Sequence, residues 1–213
     1  MKTDEFVALL ARGNDEVPPR AVERRFVLGI GLGTVASGLL LAGTLDIRVD
    51  LVAALRMPML WVKLGFATSL ILASVIATAR LSRPGMPVGR TPHAVVIPIA
   101  ALWLLALGTL MVTAPDQRLP MVFGQTWKVC PWLIAMLALP VFAGSMWALA
   151  GLAPTRLRTA GATAGLLSGA TAVLLYSLHC PEMDAPFMAV WYVLGITIPT
   201  ALGALLGPRL LRW

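Results

Sequence analysis

Two cysteines, Cys130 and Cys180, stand in this chain of 213 residues, each followed by proline. Their surroundings are Trp127-Lys128-Val129-Cys130-Pro131-Trp132 and His179-Cys180-Pro181-Glu182-Met183-Asp184. Together these stretches offer two thiols, an imidazole and carboxylates. A soft metal suits such a mixture, with Cys130, Cys180, His179 and Glu182 as candidate ligands, although there is no CxxC pattern or second histidine to complete the set. A heavy metal held transiently at the cysteines is thus the only cofactor that the residues suggest. A reversible disulfide is equally open, with Lys128 beside one thiol and Glu182 and Asp184 beside the other. So is a structural role, either as buried small apolar residues or as a permanent disulfide. No P-loop, HExxH pattern or nucleophile–base arrangement accompanies them, which points away from an enzyme.

The elements that must position these thiols are membrane spans. Apolar residues fall into six stretches, roughly Phe26 to Leu45, Leu60 to Ala79, Ala94 to Ala114, Val129 to Ala150, Thr159 to Leu178 and Phe187 to Leu206. Each approaches the ~20 residues that a helix needs to cross a bilayer. Hydrophobic residues make up 58% of the chain and charged residues only 13%, and the mean hydropathy is +0.83. Backbone groups cannot be left unpaired in lipid and period-two alternation is absent, so the expected fold class is all-α, an integral membrane bundle of six helices. The expected division is a tail over residues 1–25 and a transmembrane domain over 26–213. A cleaved signal peptide fits poorly, because about 25 polar residues precede the first span.

Charge supplies an orientation. Of the 17 basic residues, 12 lie in alternate connections and at the two chain ends: five before Phe26, then Arg80, Arg83, Arg90, Arg156, Arg158, Arg209 and Arg212. The opposite side holds Arg48, Arg56, Lys63, Arg118 and Lys128, and the acidic residues divide evenly. The positive-inside rule therefore places both termini in the cytoplasm and both cysteines outside, in an oxidising compartment. The pI of 10.4 is thus a topology signal; arginines dispersed over four segments do not make a nucleic-acid surface.

Small residues at four-residue spacing, Gly29, Gly33 and Ser37, Gly161, Gly165 and Gly169, and Gly195, Gly203 and Gly207, predict close helix packing, either within the bundle or as a dimer seam or sliding joint, with packing within the bundle the favoured reading. Trp61, Trp127, Trp132, Trp191 and Tyr192 read as an outer aromatic belt, and Trp147 and Trp213 as an inner one. No charged residue is expected in the middle of a span, which disfavours a transporter. Pro98, Pro140 and Pro199 are compatible with ordinary kinks. His93 and His179 are expected at opposite ends, ~30 Å apart, which disfavours haem.

The other chemically suggestive segment is the tail. Thr3 suits an N-cap, Asp4 and Glu5 the first turn, and Gly13 a stop. Phe6, Leu9 and Leu10 share one face of the resulting short helix, and Val17-Pro18-Pro19 ends it. A helix this short needs something to pack on. Its charges suit a lipid surface poorly. Its own inner loops are one alternative, and a cytosolic protein groove is the sharper one.

The tail from Lys2 to Ala11 with Val17-Pro18, the two single cysteines, the run His179 to Glu182, Trp191-Tyr192, and Pro199 to Trp213 resemble the NrsF-like family of negative regulators of sigma factor. The resemblance covers nearly the whole chain. It implies a multi-pass anti-sigma factor of the bacterial inner membrane whose tail, through Thr3, Phe6, Val7, Leu9, Leu10, Val17 and Pro18, sequesters an extracytoplasmic-function RNA polymerase sigma factor. It further implies that Cys130 and Cys180 take part in sensing metal or oxidative stress. The lipid bilayer is the other partner, with no direct nucleic-acid contact. The rival classes are a membrane thiol-disulfide oxidoreductase, which normally needs a second cysteine pair or a CxxC, and a small-molecule transporter.

Overall fold

The computed structural model describes residues 3–5, 7, 20–82, 89–152 and 154–212. Six long apolar helices, each a candidate membrane span, account for most of them: α1 (Ala21–Thr44), α2 (Pro58–Leu81), α3 (Thr91–Val112), α4 (Cys130–Ala150), α5 (Leu157–Tyr176) and α6 (Ala185–Leu210). The fold is all-α, as the apolar stretches require. Two short helices, Leu51–Ala54 and Pro115–Phe123, lie in the connections. Four spans carry a proline in the first turn, where a missing N–H leaves no helical bond unmade. The internal prolines Pro98, Pro140 and Pro199 leave α3, α4 and α6 as continuous spans.

The helix least apolar in sequence is the one most enclosed. Of the α5 span 67% is buried, against 11% of α3, the most apolar helix, which stands at the edge of the bundle. This arrangement is what lipid demands, since hydrocarbon accepts the side chains of α3 while the small residues of α5 gain only from backbone contact. Helix α5 packs on α6, α4 and α2, and α1 packs mainly on α4.

Glycines set those approaches. A Cβ built on Gly161 would collide with the backbone of Gly203 and Gly207, and one on Gly165 with Pro199 and Thr200. Across the α1–α4 contact, a Cβ on Gly29 would lie 2.5 Å from the Gly144 carbonyl and one on Gly33 2.7 Å from Val141 Cα. One turn further, the buried Ser37 hydroxyl donates to the Leu137 carbonyl at 2.7 Å. The small-residue ridges are intramolecular seams.

Phe26, Leu81, Met146, Leu149, Leu157 and Leu211 cluster at one end of the bundle, so α1 begins and α6 finishes there. This is the tail end; the other is the thiol end. Helix α1 starts at Ala21, so residues 21–25 of the expected tail are the first turn of the span. Arg25 anchors that turn, donating to the Trp147 carbonyl at 3.1 and 3.3 Å with its guanidinium 4.4 Å from the Trp147 ring.

Candidate functional site

The connection from Ser177 to Asp184, between α5 and α6, is the hub of the thiol end. Toward the α1–α2 connection, the Arg48 amide donates to the Leu178 carbonyl at 3.1 Å and His179 Nδ1 bonds the Asp46 carbonyl at 2.9 Å. Toward the α3–α4 connection, the Glu182 carboxylate accepts from the Gln125 and Thr126 amides at 2.7 and 3.2 Å and from the Thr126 hydroxyl at 3.3 Å. Gly124 makes room for that carboxylate. Its φ of +55° is the left-handed backbone that glycine adopts freely, and a Cβ there would sit 2.7 Å from Glu182 Oε2.

Both cysteines lie inside this lacing. Cys130 opens α4 and Cys180 closes the turn after α5, and both are free and fully buried in one apolar cluster. They are near neighbours: each thiol is an electrostatic partner of the other, and the Tyr176 hydroxyl of α5 lies in polar contact with both. The Thr126 hydroxyl is 4.0 Å from Cys180 Sγ. From α6, the enclosed Tyr192 hydroxyl approaches Cys180 and has no nitrogen or oxygen partner among the described residues. Tyr192 belongs to a π-turn, Met188–Tyr192, a local widening of the helix that recurs at functional positions.

Two cations reach the Cys180 carbonyl. Arg48 donates from 3.3 Å with its side chain only 6% exposed, and is paired with Asp50 at 2.6 and 2.7 Å. Asp50, lying in the connection, has its carboxyl held below the ordinary carboxylate range by that bond. Lys63 of α2 is 0% exposed; its ammonium lies 3.4 Å from the Cys180 carbonyl and 5.4 Å from the Tyr192 ring centroid. Over the site, Trp127 and Trp191 pack at 5.2 Å between ring centroids, with Phe123 beside them. Nearer solvent, burial and the neighbouring Glu182 push the Asp184 carboxyl up.

Several expectations change. Lys63, expected at the outer boundary of the second span, stands inside α2 on the inward stripe with Leu60, Phe66, Ala67 and Leu70. Helical spacing of those apolar residues was the signal that could have placed it there. Tyr192 is buried and not part of a belt, and Trp127 and Trp191 are half-buried over the site; Trp61 and Trp132 remain exposed. The four candidate metal ligands do not assemble, since no group of three or more His, Cys, Asp or Glu among the described residues is placed to hold an ion. Glu182 is occupied by the 124–126 turn and His179 by Asp46. In the tail, Thr3, Asp4, Glu5 and Val7 are helical and exposed. Phe6, Leu9, Leu10, Val17 and Pro18 lie outside the described residues.

Known proteins resemble the chain over its full length. The family described as "Negative regulator of sigma F" matches residues 10–213. A protein of Azospira oryzae named "Probable anti-sigma-F factor NrsF" is 47% identical over 213 residues, all of both chains. A protein of Caulobacter vibrioides named "Anti-sigma-F factor NrsF" is 40% identical over 221 aligned residues, again all of both chains. No solved structure matches.

Proposed function

We propose that this chain, which belongs to the NrsF family of negative regulators of sigma F, is an inner-membrane anti-sigma factor that holds a sigma F-type, extracytoplasmic-function sigma factor through its tail and releases it when Cys130 and Cys180 are modified. A member of this family is a regulator and not an enzyme, so the thiol-relay alternative falls away. The observation that carries the reading is the full-length similarity to two proteins bearing the anti-sigma-F name. The charge asymmetry supports a cytoplasmic tail end. Val7, 58% exposed on the helical tail, agrees with an apolar contact there; Phe6, Leu9 and Leu10, with Thr3, Val7, Val17 and Pro18, are the residues we assign to the sigma-factor contact.

Of the two stimuli, oxidation suits the site better than metal. Two free thiols stand as neighbours, while the groups that would complete a metal site are bonded elsewhere. A change at Cys130 acts on the first turn of α4, and α4 is locked to α1 by the Gly29–Gly144, Gly33–Val141 and Ser37–Leu137 contacts. Helix α1 runs on to Arg25 and the tail. Packed helices shift as units, so this pair is a route from thiols to tail.

Gentle solubilisation from the native host and identification of copurifying protein tests both halves. The wild type is expected to bring down a sigma factor, a Phe6, Leu9, Leu10 triple alanine variant to lose it, and a double Cys→Ser variant to keep it through a thiol oxidant that empties the wild type. A triple variant that retains the sigma factor would remove the tail from the contact; a double serine variant that still releases it would end the sensor assignment.

A further inference from the structure

Lys63 is a fully buried lysine inside the α2 span. A buried ammonium loses several kcal/mol of hydration, and intramembrane charges are retained where they act. Arg48 beside it is neutralised by Asp50, but among the described residues no carboxylate lies within ion-pair distance of Lys63. Its hydrogen bond goes to the Cys180 carbonyl and its face-on contact to Tyr192. Its electrostatic partners include Cys180, Arg48, Cys130, Glu182 and Asp184. Its side-chain nitrogen, 3.4 Å from the Cys180 carbonyl, thus lies beside two groups that become negative when they react.

We infer that Lys63 is the positioning residue of the thiol pair: its ammonium fixes the Cys180 peptide and offsets the negative charge that a sulfur carries while the Cys130–Cys180 disulfide forms. This rests on the oxidative reading of the two cysteines. With a diazene oxidant such as diamide, one thiol gives up its proton and its sulfur adds to the N=N bond. The second sulfur, losing its own proton, attacks the first; the S–S bond forms and the S–N bond breaks. The two protons and two electrons leave with the reagent as a hydrazine. Both attacks pass through a thiolate, which a nearby cation favours. The other titratable groups around the hub are Tyr176 from α5, Tyr192 from α6, Arg48 with Asp50 from the α1–α2 connection, and His179, Glu182 and Asp184 from the hub itself. Lys63 is the cation among them without a carboxylate of its own.

The test is the rate of Cys130–Cys180 disulfide formation by diamide in full-length protein in membranes, followed by maleimide-polymer gel shift across pH 6 to 9. Lys63→Met, similar in length and apolar, is expected to form the bond about tenfold or more slowly at neutral pH, the effect of moving a thiol by about one unit, with its rate profile displaced to higher pH. Lys63→Arg, which keeps the charge, is expected to recover most of the rate; should the Met variant fail to accumulate, Lys63→Gln against Lys63→Arg gives the same comparison. Equal rates and profiles in the charged and neutral variants would overturn the inference and leave the sensor reading standing. A wild type that forms the disulfide at the expected rate yet keeps its sigma factor would overturn the sensor reading and leave the role of Lys63 standing. A wild type in which diamide forms no Cys130–Cys180 bond would overturn both.

Discussion

Toward the tail end, α5 and α6 meet backbone to backbone at Gly161, Gly203 and Gly207, with no room for a side chain between them. At the thiol end, the same two helices are joined by a connection whose place is set by side chains, with Glu182, His179, Arg48 and Lys63 each reaching across to it or bonding it in position. The first kind of contact is indifferent to protons, oxidants and ions. The second consists of groups whose bonds depend on their chemical state. The proposed sensing role needs both, a region that chemistry can alter and a region stiff enough to pass on the alteration. The structure divides them along the length of the same helices.

The sharpest way to break the comparison is to put bulk into the seam. Gly161→Leu or Gly203→Leu must part α5 from α6, and overpacking of this kind costs about 1–3 kcal/mol, more where backbone stands in the way. The expected outcome is loss of folded protein, read as the yield of monodisperse material in mild detergent. Gly31→Leu and Gly38→Leu, on the same kind of helix but with open space around each, are expected to leave that yield unchanged. If all four behave alike, the seam does not carry the fold.

A smaller and different effect is expected at the hub. Glu182→Gln removes the charge from three hydrogen bonds and replaces one acceptor oxygen by a donor, and a charge-assisted bond is worth about 1.5–3 kcal/mol. The bundle keeps its seams, so yield is expected to hold while the 124–126 turn loosens over Cys180. N-ethylmaleimide should then label Cys130 and Cys180 faster than in the wild type. Unchanged labelling would show that the apolar enclosure by Trp127, Trp191 and Phe123, and not the carboxylate, closes the site.

The two regions also differ in how much the sequence discloses. The seams were legible, because glycine, alanine and serine at four-residue spacing in an apolar helix leave few other physical uses, and the spans followed from length and hydropathy alone. Both cysteines were recognisable as one site from their shared side of the membrane. Lys63, Tyr176 and Tyr192 were not. Each is compatible with a membrane-boundary position, and only the packing of α2, α5 and α6 around the hub decides that they turn inward. Glu182 stands in sequence beside His179 and Cys180, yet its partners, Gln125 and Thr126, are more than fifty residues away and come close only when the helices assemble.

The mildest expected effect is one of acidity, and it separates two carboxylates of the thiol end that titrate in opposite senses. Asp50 is held low by Arg48, so its contribution is present at neutral pH and disappears as the pH falls through its depressed value, below the ordinary ~3.9. Asp184 is held high by burial and by Glu182; the folded state keeps its proton more readily, so its contribution is full in acid and is lost as the pH rises through its raised value. Acidification therefore first relieves Asp184 and only afterwards strips Arg48 of its counter-charge. Arg48 would then remain beside the Cys180 carbonyl as a second unmatched cation next to Lys63. The Arg48 amide, bonded to the Leu178 carbonyl, reports on this segment directly. Its hydrogen exchange, corrected for intrinsic rate, is expected to stay slow from pH 6 to about 4 and to quicken below that, whereas in Asp50→Asn it should already be quick at pH 6 and change little. An identical acid limb in both proteins would mean that Asp50 is not what holds Arg48, and that the hub at the thiol end depends on its enclosed bonds alone.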